Sequence, residues 1–128
     1  MLEYIQTIGV PVNDQERALD FYVNTLGLVK QSDEVMSPDE RWIAVKPSGG
    51  QTSIMLGKAD LSGGRPAGGF TGYIFYTADI DKTCSELEAK GVKITVPAHA
   101  EPWGKWAQFA DPDGNEFGIW SEPEGMTR

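Results

Sequence analysis

One supersecondary pattern occurs twice in this chain, and that repetition limits its fold more than any single motif does. The first copy opens with an extended run, "YIQTIGVPV", and continues into a helical run, "DQERALDFYVNTLG". Three strand-like runs follow: "LVKQSDEV", "RWIAVKP" and "TSIMLGK". The second copy repeats the order with "TGYIFYTA", the helical "DIDKTCSELEAKG", then "VKITVP", "KWAQFAD" and "NEFGIW". Gly27 and Gly91 stop the two helices 64 residues apart; Trp42 and Trp106, which open equivalent strands, have the same spacing. Val12 and Ala78 precede the helices at a spacing of 66. Each copy therefore reads as a βαβββ module, the first over about 1–60 and the second over about 71–122. The Gly-rich stretch "LSGGRPAGGF", about 61–70, reads as a flexible linker.

The first helix has a capping box in Asn13 and Glu16, with Asp14 as the alternative cap. Its apolar face is Ala18, Phe21, Tyr22 and Leu26; that of the second helix is Ile80, Cys84 and Leu87. Cys84, the single cysteine, has no disulfide partner within the chain and reads as a small buried hydrophobe.

A net charge of -8, without clustered Lys and Arg, argues against nucleic acid as a partner. No apolar run approaches the roughly 20 residues that cross a bilayer. The opening "MLEYIQTIGVPVND" lacks the basic flank and long apolar stretch of a signal peptide. The expectation is a cytoplasmic protein with no membrane partner.

"VPVNDQERALDFYVNTLGL" near the start and "FADPDGNEFGIW" near the end, joined by the doubled βαβββ order, resemble the vicinal oxygen chelate superfamily. That superfamily groups glyoxalase I, extradiol dioxygenases, and the bleomycin and fosfomycin resistance proteins. The resemblance covers the chain to about Glu122. It implies an α+β fold in which two βαβββ modules form a cupped mixed sheet with helices outside, a ligand in the cup, and a homodimer. The modules pair within one chain or swap across a dimer, and the residues leave both arrangements open.

Strand alternation indicates which side chains face the cup, because the face packed on helices must be apolar. The helix-side set is Ile8, Val10, Ile43, Val45, Ile54, Leu56, Ile74, Tyr76, Ala107, Phe109, Phe117 and Ile119. The cup set is then Thr7, Gly9, Trp42, Ala44, Lys46, Met55, Tyr73, Phe75, Trp106, Gln108, Glu116, Gly118 and Trp120.

Metalloenzymes of the superfamily hold a divalent ion with His and Glu side chains at the middle of four strands. The resemblance places these positions at Thr7, Met55, Tyr73 and Gly118, five residues before each helix-flanking residue and within each last strand. None is His, Asp, Glu or Cys, and hydroxyl, thioether and phenol are poor ligands without a stronger partner. The expectation is therefore no metal and no cofactor, with Gly118 leaving empty space where a carboxylate would stand. His99 falls in "PAHAEPWGKW", which reads as a loop, and is left with Glu101 and Glu116 as a residual candidate for chemistry.

What remains is aromatic. Trp42, Tyr73, Phe75, Trp106 and Trp120 line the expected cup, Trp103 lies in the adjacent loop, and Met55 and Thr7 form the floor. Gln108, Glu116 and Lys46 are polar handles. An apolar lining with a few polar groups is the usual form of a small-molecule site, and Trp faces stack on planar rings or hold cations. The reading is a metal-independent protein that binds a planar aromatic or cationic small molecule, such as an antibiotic, like the metal-lacking bleomycin-resistance branch. The competing readings are an enzyme with a relocated metal or metal-free chemistry, and a non-catalytic dimerisation or partner-binding module.

Overall fold

Strand pairing assigns the repeat to two separate four-stranded sheets. The computed structural model describes residues 1–59 and 63–125, so Asp60, Leu61 and Ser62 at the expected module–linker boundary lie outside the described residues. The chain divides into two compact units, Met1–Gly68 and Gly69–Arg128. The first holds β1 (Thr7–Pro11), α1 (Gln15–Asp20), a π-helical turn (Phe21–Thr25), β2 (Val29–Ser37), β3 (Glu40–Lys46) and β4 (Ser53–Gly57). Its strand order is β1-β4-β3-β2, with β1 parallel to β4 and the other pairs antiparallel. The second holds β5 (Gly69–Tyr76), α2 (Ile80–Ala89), β6 (Lys93–Glu101), β7 (Gly104–Ala110) and β8 (Asn115–Ser121). Its order, β5-β8-β7-β6, and its single parallel pair, β5 with β8, reproduce the first sheet. Both units are βαβββ and the class is α+β.

In the first unit Val10, Ile43, Val45, Ile54 and Leu56 are buried with Ala18 and Tyr22 of the helical segment. The segment is not one continuous helix. After α1 the Leu26 N–H donates to the Phe21 carbonyl at 2.9 Å, a five-residue closure that widens the turn. The cap is Asp14, whose carboxylate accepts from the Arg17 N–H at 3.1 Å, rather than the Asn13–Glu16 box. Arg41 of β3 clamps the unit: its guanidinium pairs with Asp33 of β2, 2.6 Å away, and with Glu16 of α1. Gln15 adds two hydrogen bonds, from Nε2 to the carbonyls of Arg41 (2.7 Å) and Leu56 (2.9 Å).

In the second unit Ala107, Phe109, Phe117 and Ile119 are buried beneath α2, which supplies Ile80 and Cys84. Burial pushes the Cys84 thiol up, as do the charges of Glu88 and Asp81. The "DPDGN" turn between β7 and β8 is built on one buried carboxylate. Asp111 Oδ1 accepts from the Asp113 and Asn115 N–H groups, both at 2.9 Å, and Oδ2 accepts from Asn115 Nδ2 at 2.9 Å. The Asp111 carboxylate is therefore structural: it satisfies the backbone and amide donors of the turn.

Two sequence expectations are corrected here. Phe75 does not face away from the helix. Its ring packs on Phe117 at 5.4 Å and Phe109 at 6.0 Å, while Ile74 and Tyr76 pair with Gly118 and Trp120 and share their opposite face. Aromatic residues stand on both faces of this strand, so its pattern carries no marker of facing. Phe70 pairs with Glu116 and Ile74 with Gly118, so the residues between them bulge out of register, with Gly72 at φ 82°. Tyr73 lies in that bulge, half-buried, its N–H donating to Thr71 Oγ1 at 3.1 Å. The second correction is His99, which lies in β6 rather than a loop. β6 is an edge strand, so Pro97 interrupts no ladder it needs, and the strand continues to Glu101.

Candidate functional site

The helix-free face of the second sheet concentrates aromatic rings, and two glycines make that arrangement possible. Trp106 of β7 leans across β8 so that its six-membered ring covers Gly118. A β-carbon at 118 would stand 2.3 Å from Cη2 and 2.7 Å from Cζ2. The space expected to be empty is filled by indole. Trp120, paired with Trp106 in the ladder, lies over Gly104, where a β-carbon would meet its Nε1 at 2.1 Å. Gly104 also has φ 142°, which L side chains rarely adopt.

Around these two indoles stand further rings. Trp103, in the β6–β7 turn, meets Trp106 edge-on at 5.7 Å and 71°. Phe70 lies 6.3 Å from Trp106, and Tyr76 lies 6.0 Å from Trp120. Trp103 is 54% exposed, Phe70 50%, Tyr76 47% and Ile74 56%. Exposed apolar residues grouped in this way make the face a candidate interaction site.

Polar groups on the same face are tied to the rings. The Trp106 Nε1–H donates to Gln108 Oε1 at 3.0 Å, and the Trp120 Nε1–H to the Trp103 carbonyl at 3.1 Å. The Tyr76 hydroxyl donates to the Glu122 carboxylate, with both oxygens at 2.9 Å. Glu116 lies two residues before Gly118 on β8, pairing with Ala110 and Phe70. His99 pairs with Trp106 in the β6–β7 ladder; its Nδ1 is 3.0 Å from the Pro97 carbonyl and its Nε2 3.2 Å from Glu101. The histidine is thus held at both ring nitrogens by groups of its own strand.

Of the residues expected from sequence, Trp103, Trp106, Gln108, Glu116 and Trp120 come together on this face, and Phe75 does not. Phe70, Ile74 and Tyr76 were missed. Phe70 falls in the Gly-rich stretch that reads as a linker, whereas it lies in β5; the glycine pair Gly69 and Gly72 marks a bulged strand rather than a loop. Trp42, Thr7 and Met55 belong to the first unit. Trp42 holds in β3 the place that Trp106 holds in β7, and it stands opposite Glu34 of β2. Met55 is buried, paired between Gly9 and Ala44, and the Thr7 hydroxyl donates to the Gln6 side chain.

The residues do not fit the divalent ion that the resemblance associates with the fold. The Val12 N–H donates to the Gly57 carbonyl (2.8 Å) as the Thr77 N–H does to the Trp120 carbonyl (3.0 Å), so Val12 matches Thr77 rather than Ala78. Counted from there, the counterpart of Thr7 is Gly72 and not Tyr73; read along the ladder it is Phe70, opposite Glu116. Neither brings a donor, Met55 offers a buried thioether, and the ring of Trp106 bars a side chain at 118. Among the described residues no group of three or more His, Cys, Asp or Glu is placed to hold a metal.

Comparison with known proteins agrees with the strand order. YetH of Bacillus subtilis (strain 168) is 30% identical over 118 residues, covering 91% of this chain and 97% of its own. A crystal structure of a superfamily member from Sphaerobacter thermophilus DSM 20745 matches with a TM-score of 0.86 at 41% identity, over 94% of this chain and 98% of that one. TnmS3, an antibiotic binding protein from Streptomyces sp. CB03234, matches with a TM-score of 0.83 at 36% identity, over 94% and 97% of the two chains. The sequence profile of one family spans residues 4–119, and the chain belongs to that family, the Glyoxalase/Bleomycin resistance protein/Dioxygenase superfamily.

Proposed function

We propose that this protein is a metal-independent small-molecule binding protein that sequesters a planar aromatic compound, such as an antibiotic, on the aromatic face of its second unit. One observation carries the reading: Trp106 takes the volume above Gly118, and rings surround it while the edge of the cluster stays exposed. Rings held in place by glycine contacts and internal hydrogen bonds offer stacking area with little side-chain entropy left to lose. The likeness to an antibiotic binding protein at 36% identity supports the same reading. Glu116 on this face and the net charge of -8 favour a neutral or cationic ligand over an anion.

The protein is proposed to work as a cytoplasmic homodimer. Among the described residues no helix is long and apolar enough to cross a membrane. Thermal melts against a panel of planar heteroaromatic compounds test binding, because a ligand that binds only the folded chain raises the melting temperature. Elemental analysis of the purified protein tests the metal-free assignment. About one Zn, Ni, Fe or Mn per chain, retained through a mild chelator wash, would overturn it. Sedimentation at micromolar concentration tests the dimer.

A further inference from the structure

Three polar hydrogens of the aromatic face are committed within it, while among the described residues the Trp103 indole N–H and the Gln108 amide N–H groups are not. The Trp106 indole N–H is used by Gln108, the Trp120 indole N–H by the Trp103 carbonyl, and the Tyr76 hydroxyl by Glu122. The Gln108 contact fixes more than distance. An indole N–H only donates, so the atom of the Gln108 amide that meets it must be the oxygen. The amide nitrogen then points elsewhere, and among the described residues it has no hydrogen-bond partner. Gln108 is half-buried beside the ring that covers Gly118, so a ligand lying there would bury two N–H groups that need an acceptor.

Resting on the binding reading above, we infer that Gln108 selects for a planar ring system bearing a ring carbonyl, whose oxygen accepts from Gln108 Nε2. An anionic acceptor is disfavoured because Glu116 lies on the same face, one ladder step away on β8. A hydrocarbon ring of equal size gains the same stacking but strands the amide, and sites built to hydrogen-bond a ligand reject the analogue that lacks the partner.

The test compares two probes of one shape, fluorenone and fluorene, each carrying the same trimethylammoniomethyl group, by isothermal titration calorimetry. The unaltered protein is expected to bind the ketone about three- to tenfold more tightly. Gln108→Glu keeps an oxygen for the Trp106 N–H and replaces the amide nitrogen with a second acceptor. In that variant the preference should vanish or reverse, while a melting curve close to the parent's shows the fold retained. Gln108→Leu should bring the two probes level. Equal affinity of both probes for the unaltered protein, or a ketone preference that survives in Gln108→Glu, overturns the role of Gln108 and leaves the binding reading standing. Absence of binding by both probes and by the heteroaromatic panel overturns the two together.

Discussion

The ring of Trp106 lies on Gly118 so closely that the two positions cannot be varied independently. A β-carbon at 118 would stand 2.3 Å from Cη2 of the indole, well inside van der Waals contact. Gly118→Ala should therefore cost about 1–3 kcal/mol of stability, as overpacking does, or expel the indole from its place. In a Trp106→Ala background the same substitution should cost little. Urea denaturation of the four proteins gives the coupling; strictly additive effects would show that the ring does not rest on this glycine.

Phe75 and Ile74 are neighbours with opposite fates. Phe75 packs with Phe109 and Phe117, whereas Ile74 is 56% exposed on the aromatic face. Phe75 is half-buried against these rings, so Phe75→Ala should destabilise by about 1–3 kcal/mol, below the range of fully buried aromatic truncations. Ile74→Ala should stay within about 0.5 kcal/mol, as exposed positions do. Chemical denaturation with the order reversed would restore the facing suggested by the sequence pattern.

That reversal marks the limit of what the sequence discloses. The doubled strand order, the parity of β7 and β8, and the clustering of Trp103, Trp106 and Trp120 are legible, because Gln108 and Gly118 set one face of those two strands apart from Phe109, Phe117 and Ile119 on the other; β4 is buried along its whole length and shows no preferred face. "TGYIFYTA" has no such contrast, and both registers bury an aromatic residue. Only the ladder, with its bulge around Gly72, decides between them. Gly118 is legible as an anomaly but not as a cradle, since the occupant comes from position 106 on the adjacent strand. The turn in the first helical segment has no sequence signal: "FYVN" keeps helical spacing while the hydrogen bonding there is π-type.

Acid should weaken the first unit through Asp33. The hydrogen bond from the Arg41 guanidinium holds the Asp33 carboxyl below its ordinary value, and the charges of Arg41 and Lys30 act in the same direction. A carboxyl whose folded pKa is depressed stabilises the fold above its unfolded pKa, about 3.9. That contribution disappears as the pH falls through the lower, folded value. The stability gap between the parent protein and Asp33→Asn should be constant from neutral pH to about pH 5 and shrink below about pH 4. Denaturation at a series of pH values measures it; a gap that widens in acid would contradict the pairing.

Binding by the aromatic face is tested most directly by Trp106→Ala, measured for stability and for ligand affinity together. Trp106 is half-buried and its indole overlies the sheet face rather than the helix-side core. The variant should keep its fold, with a modest change in melting temperature, and lose about 1–3 kcal/mol of affinity for any planar compound that stabilises the parent. If the aromatic cluster is instead a sealed second core, the variant should lose about 3–5 kcal/mol of stability. Paired with a parent protein whose melting and tryptophan fluorescence no planar compound alters, that result would contradict the account.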